Sequence, residues 1–155
     1  MNAELSDPQS ISTGKLQKVR WWVQVFMQLL LGVALVFAGI SHLTTARVEF
    51  LAQVPTWLPL DGDFVVVASG IVEILLGLSL IFLFKQRAYV GLVVAAFFIL
   101  IFPGNISQYV NGIDAFGLNT DQARFTRLFF QPVLVVWALW ATGGWRLLFK
   151  RTKKS

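Results

Sequence analysis

Apolar residues along the chain come in four long runs that are separated by short polar stretches. The runs cover residues 21–40, 64–84, 88–106 and 128–145. Because the hydrocarbon core of a bilayer is about 30 Å thick, a helix needs roughly 20 apolar residues to cross it, and each run is about that long. The pattern therefore predicts an all-α fold, a four-helix transmembrane bundle.

The polar stretches divide the chain into a membrane domain and two tails. We expect a loose polar tail at residues 1–20 and a basic tail at residues 150–155, with the four-helix domain at 21–149 between them. The predicted helices lie at about 21–43, 64–84, 88–106 and 127–147. A removable signal peptide is the competing interpretation of the first run, since Lys15, Lys18 and Arg20 precede it. That run is too long and lacks a clear small-residue cleavage site, so we expect the helix to be kept.

One acidic residue interrupts the second run. Glu73 is the tenth of 21 residues in the otherwise uncharged segment 64–84. A charged side chain near the middle of a bilayer costs a few kcal/mol or more unless a partner or water receives it, so it marks a functional site by default. Glu73 is therefore the first candidate site residue.

Composition and charge agree with a membrane location. The chain of 155 residues is 56% hydrophobic and only 14% charged, and its mean hydropathy is +0.68. Its net charge of +5 does not indicate nucleic acid binding, because ten of the thirteen basic residues lie in three places. Those places are the amino-terminal tail, the connection at residues 85–87 and the carboxyl-terminal tail. By the positive-inside rule this distribution predicts that both termini are cytoplasmic, in a multi-pass protein of the cell (inner) membrane whose partner is the lipid bilayer.

The absence of cysteine limits the chemistry of the chain itself. With no cysteine, disulfides, thiolate nucleophiles and dithiol relays are excluded. With one histidine, a two-histidine haem site or a histidine-rich metal site is excluded as well, so we predict no metal.

Small and polar residues recur at the spacing of helix contacts. Left-handed bundles in lipid favour small side chains at alternating spacings of four and three. The four helices give such stripes as follows: Gln28, Gly32, Leu35, Gly39, His42; Val66, Gly70, Glu73, Gly77, Leu80; Gly91, Ala95, Phe98, Phe102, Asn105; and Arg127, Gln131, Leu134, Ala138, Ala141. The glycines beside Glu73 predict that its face packs against another helix.

The polar stripe residues gather toward the outer half of the membrane. At 1.5 Å per residue Glu73 lies roughly 13 Å below the outer boundary and Gln131 roughly 6 Å, whereas His42, Asn105 and Arg127 lie near the boundary. We therefore predict an outward-facing polar pocket with Glu73 as its floor. The prediction requires the Glu73 carboxyl to reach groups from two other helices, and a Glu73 that faces lipid would reject it.

Each candidate also has a structural interpretation. Glu73 is either a protonated carboxyl that fixes helix packing or a group that handles protons or ligand. His42 at a helix end suits a cap better than a metal ligand, and Arg127 is either an interfacial anchor or an anion receptor. Asn105 and Gln131 suit structural hydrogen bonding. We thus keep five pocket candidates, and no catalytic residue is assigned.

Five sequence blocks resemble the DoxX-like family of small four-helix integral membrane proteins. The blocks are FAGISHL at 37–43, VPTWLP at 54–59, SGIVEILLGL at 69–78, FPGNI at 102–106 and RLFFQPVLVVW at 127–137. The resemblance implies the same four-helix bundle with both termini inside, and it implies that the family's recurrent polar positions fall on the five pocket candidates. The family's founding members are membrane subunits associated with thiosulfate–quinone oxidoreduction.

Three functions follow from these observations. The first is a membrane subunit or accessory of a quinone- or sulfur-linked redox system, itself not necessarily an enzyme, with a quinone as the candidate ligand and a redox protein as the candidate partner. The second is a non-enzymatic assembly or stability factor, in which the same polar residues fix helix register. The third is a small proton or weak-acid carrier, which the lack of broken helices and repeated halves disfavours.

Overall fold

The computed structural model describes the backbone of residues 8–150 and the side chains of residues 13–149. The part described is all-α, and its long helices form the predicted four-helix bundle. The helices are α1 (Pro8–Leu43), α2 (Arg47–Leu51), α3 (Gly62–Phe82), α4 (Arg87–Val110), α5 (Asp121–Thr142) and α6 (Trp145–Lys150). A 3₁₀ turn at Phe84–Gln86 links α3 to α4.

Local chemistry sets several helix ends. Asp61 accepts a hydrogen bond from the Phe64 amide at 2.9 Å and so caps the start of α3. Thr120 does the same for α5 by accepting from the Ala123 amide at 3.2 Å. Gly143 ends α5 in the left-handed conformation at φ 77°, which glycine adopts without steric cost.

Some predicted boundaries are wrong because they followed hydrophobicity alone. The helix α1 begins at Pro8, so the predicted loose tail is helical from residue 8 onward; good helix formers such as Lys15 and Leu16 extend it beyond the apolar run. The helix α4 continues to Val110, and α5 spans 121–142 where 127–147 was expected. Residues 1–7 and 151–155, which include most of the predicted basic tail, lie outside the described residues.

The four long helices form two antiparallel pairs. The helix α1 packs along α3, and α4 packs along α5, while α3 and α4 contact each other sparsely. Glycines set the closeness of the first pair: a Cβ on Gly77 would approach the Gly32 carbonyl oxygen to 2.6 Å, and one on Gly39 would approach that of Gly70 to 2.5 Å. Such contact is how helices pack without a hydrophobic driving force between them.

The predicted contact stripes are confirmed. Every stripe residue of α1 and α3 is buried, and those of α4 and α5 are buried or half-buried. The tightest core lies at the end of the bundle that holds the 3₁₀ turn and α6. There Leu80, Val94, Ala138 and Ala141 have no exposed surface. We call this the closed half, and the half that carries α2 the open half.

The outer surface of the bundle is apolar. All four long helices contain stretches apolar and long enough to cross a membrane. Large hydrophobic side chains point outward on each, including Phe37 with 72%, Leu75 with 58%, Leu100 with 75% and Phe129 with 60% of its surface exposed. Such a surface is stable only against lipid, so the chain is a multi-pass membrane protein.

Candidate functional site

A cavity of about 810 Å³ lies inside the open half, open to the exterior and lined by α1, α3, α4, α5 and the segment that follows α2. Most of its wall is aliphatic or aromatic. Polar side chains occupy part of it, among them all five pocket candidates: His42, Glu73, Asn105, Arg127 and Gln131. The structure thus brings together the residues that the sequence singled out.

Glu73 and His42 meet across the α1–α3 contact. Both are nearly inaccessible, with 5% and 6% of their surface exposed, and His42 Nε2 lies 3.4 Å from Glu73 Oε2. On its other side, His42 Nδ1 lies 3.0 Å from the Ser69 hydroxyl oxygen, and that hydroxyl donates to the Val66 carbonyl at 2.9 Å. A short polar chain therefore runs from the α3 backbone through the imidazole to the carboxyl.

The sequence placed these two side chains at different depths. Counting residues locates only the backbone, whereas each side chain of a helix leans toward that helix's own amino terminus. Because α1 and α3 are antiparallel, His42 and Glu73 lean toward each other and close the distance. Glu73 is interior and does not face lipid.

The predicted reach of the Glu73 carboxyl is only partly found. It approaches a side chain from one other helix, α1, and not from two, and its Oε2 has no partner of full hydrogen-bond geometry among the described residues. The reason is that α4 and α5 stand away from α3 in the open half, across the cavity. Glu73 lines the cavity at its α1–α3 side and does not form a floor bonded to every helix.

Asn105 and Gln131 form an amide pair that joins α4 to α5. The Asn105 amide donates to Gln131 Oε1 at 2.9 Å, and Gln131 Nε2 donates to the Phe98 carbonyl oxygen at 2.5 Å. These two contacts lie on either side of Pro103, which interrupts the backbone hydrogen bonding of α4. The Gln131 amide therefore supports the proline-interrupted stretch of α4 while it lines the cavity.

Arg127 is half-buried, one turn of α5 from Gln131, and its contacts are uncharged. With the Gln53 amide oxygen turned toward it, that oxygen accepts from Nη1 at 2.7 Å and Nη2 at 2.8 Å. The Gln108 amide lies 2.9 Å from that of Gln53 and brings its Oε1 to 3.3 Å from Nη1, and the Phe116 ring lies 4.8 Å from the guanidinium carbon. Within the part of the chain described, no acidic side chain forms an ion pair with Arg127.

Arg124, three residues earlier on the same helix, is the opposite case. It lies outside the cavity lining, and its guanidinium donates to Asp114 at 2.5 Å, to Asp121 at 2.7 Å and to the Leu118 carbonyl at 3.1 Å. Arg124 therefore ties the connection between α4 and α5 to the start of α5. The sequence did not separate the roles of these two arginines.

The segment that contains α2, residues 44–61, covers one end of the cavity together with the α4–α5 connection, and we call it the covering segment. Phe50 of α2 lies against the His42 ring and also packs on Phe116, with ring centroids 4.6 Å apart. Phe116 adopts a positive φ of 55°, and its amide donates to Glu49 at 2.6 Å. Trp57 is 67% exposed and lines the cavity.

Sequence reasoning missed the neutral partners of the candidate residues. Ser69, Gln53, Gln108 and Phe116 carry no charge, and three of them lie in connections or at helix ends, where polar residues are ordinary. Only their positions in the folded chain relate them to His42 and Arg127. For a metal, His42 and Glu73 offer two ligand groups, and residues 13–149 contain no cluster of three or more histidines and acids.

Comparison with known proteins gives one match. No curated protein and no solved structure matches the chain. A family profile matches residues 31–142, which is more than half of the chain and runs from the middle of α1 to the end of α5. That range includes all five pocket candidates. The chain therefore belongs to the family described as "Domain of unknown function (DUF8561)".

Proposed function

We propose that the protein binds a lipid-soluble molecule with a polar head in the open-half cavity, as a membrane subunit or accessory of a quinone- or sulfur-linked redox system. The observation that carries this proposal is the cavity itself: an apolar volume of about 810 Å³ with a few convergent polar groups. Small-molecule and cofactor sites in proteins have this character and a volume of roughly 300–1,000 Å³. A quinone, with an apolar tail and carbonyl oxygens that accept hydrogen bonds, is the first candidate ligand.

The resemblance to DoxX-like proteins supports the redox association. Four of the five blocks behind that resemblance contribute polar groups to this cavity: FAGISHL brings His42, SGIVEILLGL brings Glu73, FPGNI brings Asn105, and the last block brings Arg127 and Gln131. The fifth, VPTWLP, lies in the covering segment. The similarity is thus concentrated where a ligand would bind.

The proposed membrane and orientation rest on charge. Lys15, Lys18, Arg20 and Lys85 lie at the closed end of the bundle, as does Arg146. The positive-inside rule supports a cytoplasmic location for that end, so we propose that the open half and its covering segment face outward in the inner membrane. A ligand would then reach the cavity from the outer leaflet or from the outer aqueous side.

Purification from native membranes tests the proposal. We expect the full chain, extracted in mild detergent, to retain a quinone that solvent extraction and chromatography detect, or to co-purify with an oxidoreductase. Recovery of neither a quinone nor an oxidoreductase would count against the redox role.

Glu73→Gln separates ligand chemistry from the assembly-factor alternative. The glutamine keeps the shape and donates to His42 Nε2, so stability should change by no more than about 1 kcal/mol. If Glu73 serves the ligand, quinone retention should fall about fivefold, as expected for one lost hydrogen bond of about 1 kcal/mol. The control is Asp63→Asn, which removes an acid of the same helix that pairs with Arg47 outside the cavity. Unchanged quinone retention at normal abundance would favour the structural role.

A further inference from the structure

Arg127 brings a positive charge to the cavity that its neighbours leave uncompensated. The groups that hold its guanidinium are two uncharged glutamine amides and an aromatic ring, which orient a cation without neutralising it. A half-buried cation in apolar surroundings is costly without a counter-charge, because it has lost part of its hydration. Its attraction to an anion is little screened there, so an anion would offset that cost. Arg124 shows the usual solution in the same helix, with two aspartates as partners.

The His42–Glu73 pair does not supply that counter-charge. Because the Ser69 hydroxyl donates to the Val66 carbonyl, we assign the proton of the His42–Ser69 contact to His42 Nδ1, with the hydroxyl oxygen as acceptor. His42 Nε2 and Glu73 Oε2 lie 3.4 Å apart, and with Nδ1 protonated the two groups share one further proton, carried by either the imidazole or the carboxyl. In both arrangements the pair is neutral overall, and the alternative of a net negative pair would bury an unpaired charge.

The charges of the lining residues therefore sum to one positive charge. Asn105, Gln131 and Gln53 are neutral, His42 and Glu73 cancel, and Arg127 remains. We propose that the cavity selects amphipathic molecules whose head carries one negative charge, such as a carboxylate or an ionised hydroxyquinone, with Arg127 receiving that charge. This inference rests on the proposed function and specifies its ligand class.

The geometry suits such a molecule. The guanidinium is planar and offers parallel N–H groups that match the two oxygens of a carboxylate. Gln53 and Gln108 engage only its terminal nitrogens, so donor capacity remains. Beyond the polar groups the wall is apolar, with Leu35, Phe97 and Phe98 available to a single tail.

The experiment compares ligands that differ only in head charge. Radiolabelled dodecanoate and dodecanol are bound to the full chain in phosphatidylcholine nanodiscs, with empty nanodiscs subtracted. We expect dodecanoate to bind about tenfold more tightly than dodecanol, since a charge-assisted hydrogen bond is worth about 1.5 kcal/mol or more. A second pair, an alkyl hydroxynaphthoquinone and the same alkylnaphthoquinone without the hydroxyl, tests the same difference on a quinone ring.

Variants of Arg127 and Arg124 test whether Arg127 causes the preference for the charged head. Arg127→Gln should abolish it, Arg127→Lys should retain part of it, and Arg124→Gln should leave it unchanged. Size-exclusion profiles and melting temperatures identify any variant that does not fold. If Arg127→Gln does not fold, a partial loss of the preference in Arg127→Lys still tests the role of Arg127. Equal binding of charged and neutral heads by the parent protein would overturn the inference, as would a preference that survives Arg127→Gln.

Two further results separate this inference from the proposed function. If the alkylnaphthoquinones bind equally well, the quinone role stands and the charge selection fails. If dodecanoate binds and neither quinone does, the charge selection stands and the quinone role fails. Repeating the measurement in nanodiscs with phosphatidylglycerol distinguishes the sources of the anion: displaced dodecanoate would identify the head group of a bilayer lipid as the occupant, and undisplaced dodecanoate would identify a free amphiphile.

Discussion

The closed and open halves of the bundle are built from the same four helices and the same kind of contact stripe, yet one is densely packed and the other contains a cavity. In the closed half the stripes carry Gly77, Gly91 and Ala138, and the helices meet closely around Leu80 and Val94. In the open half, Gly39 and Gly70 still keep α1 close to α3, but the stripes of α4 and α5 carry long polar side chains, namely Asn105, Arg127 and Gln131. The difference shows that stripe positions determine which residues face inward, and that side-chain size and polarity determine whether the interior is filled.

The open half keeps its cavity because several features hold its helices apart. Pro103 interrupts α4, and the Asn105–Gln131 pair fixes the spacing of α4 and α5. The covering segment is tied across the mouth by the hydrogen bond from the Phe116 amide to Glu49. Polar groups that are already hydrogen-bonded in this way gain no free energy if the helices close over the cavity, so the space remains for a ligand or lipid tail.

The largest expected contrast comes from one substitution made in both halves. Ala138→Phe adds a ring where Ala138 has no exposed surface, and overpacking there should cost about 1–3 kcal/mol or more. Ala38→Phe places the same ring in the cavity, and we expect stability to change by about 0.5 kcal/mol at most. Melting followed by size-exclusion chromatography measures both. An equal loss in the two variants would mean that the cavity closes up in the membrane.

A smaller contrast is expected for buried glutamines. In the closed half, Gln28 Nε2 donates to the Leu80 carbonyl at 2.7 Å, in a site without exposure, so Gln28→Leu leaves that carbonyl unpaired and should cost about 1–3 kcal/mol. Gln131→Leu removes comparable bonds beside the cavity, where water can replace them, and should cost about 1 kcal/mol or less.

The Gln28 amide oxygen reduces the loss of stability expected for Gln28→Leu. Gln28 Oε1 has no hydrogen-bond partner among the described residues, so removing it regains part of the free energy lost with the bond to Leu80. A double variant, Gln28→Leu with Gln131→Leu, should show additive losses because the two sites lie in different halves. If Gln131→Leu proved the more damaging single change, the cavity would be dry and the amide pair would be a principal support of the fold.

Much of the fold and of the site followed from the sequence because bilayer physics leaves few options. Run length gave the four spans, and the spacing of glycines gave the faces that contact. The depth of the polar residues brought five candidates into one region. The contacts of Glu73 and Arg127 did not follow, since they depend on side-chain lean and on connections whose backbone course has no periodic signal. Gln53 and Phe116 acquire their roles only when α2 and the α4–α5 connection meet.

The same two alanines offer the finest test of the difference between the halves, with the least disturbance of stability. The chain has no cysteine, so a single introduced thiol is the only one present. Ala38→Cys and Ala138→Cys each enlarge the side chain slightly. A maleimide reacts with the thiolate, which requires water and access. We therefore expect Ala38→Cys to be labelled in the folded protein in lipid and Ala138→Cys to be labelled only after unfolding.

A bound ligand should protect only one of these thiols. If dodecanoate occupies the cavity, its addition should slow the labelling of Ala38→Cys in the folded protein. The labelling rate of the unfolded protein should not change, and this control excludes an effect of dodecanoate on the maleimide. Because Ala38 lies on the α1 wall and Arg127 on α5, protection that disappears in Arg127→Gln would connect the tail and the head of one molecule. Rapid labelling of Ala138→Cys in the folded protein would instead show that the closed half opens, and the division of the bundle into two halves would fail.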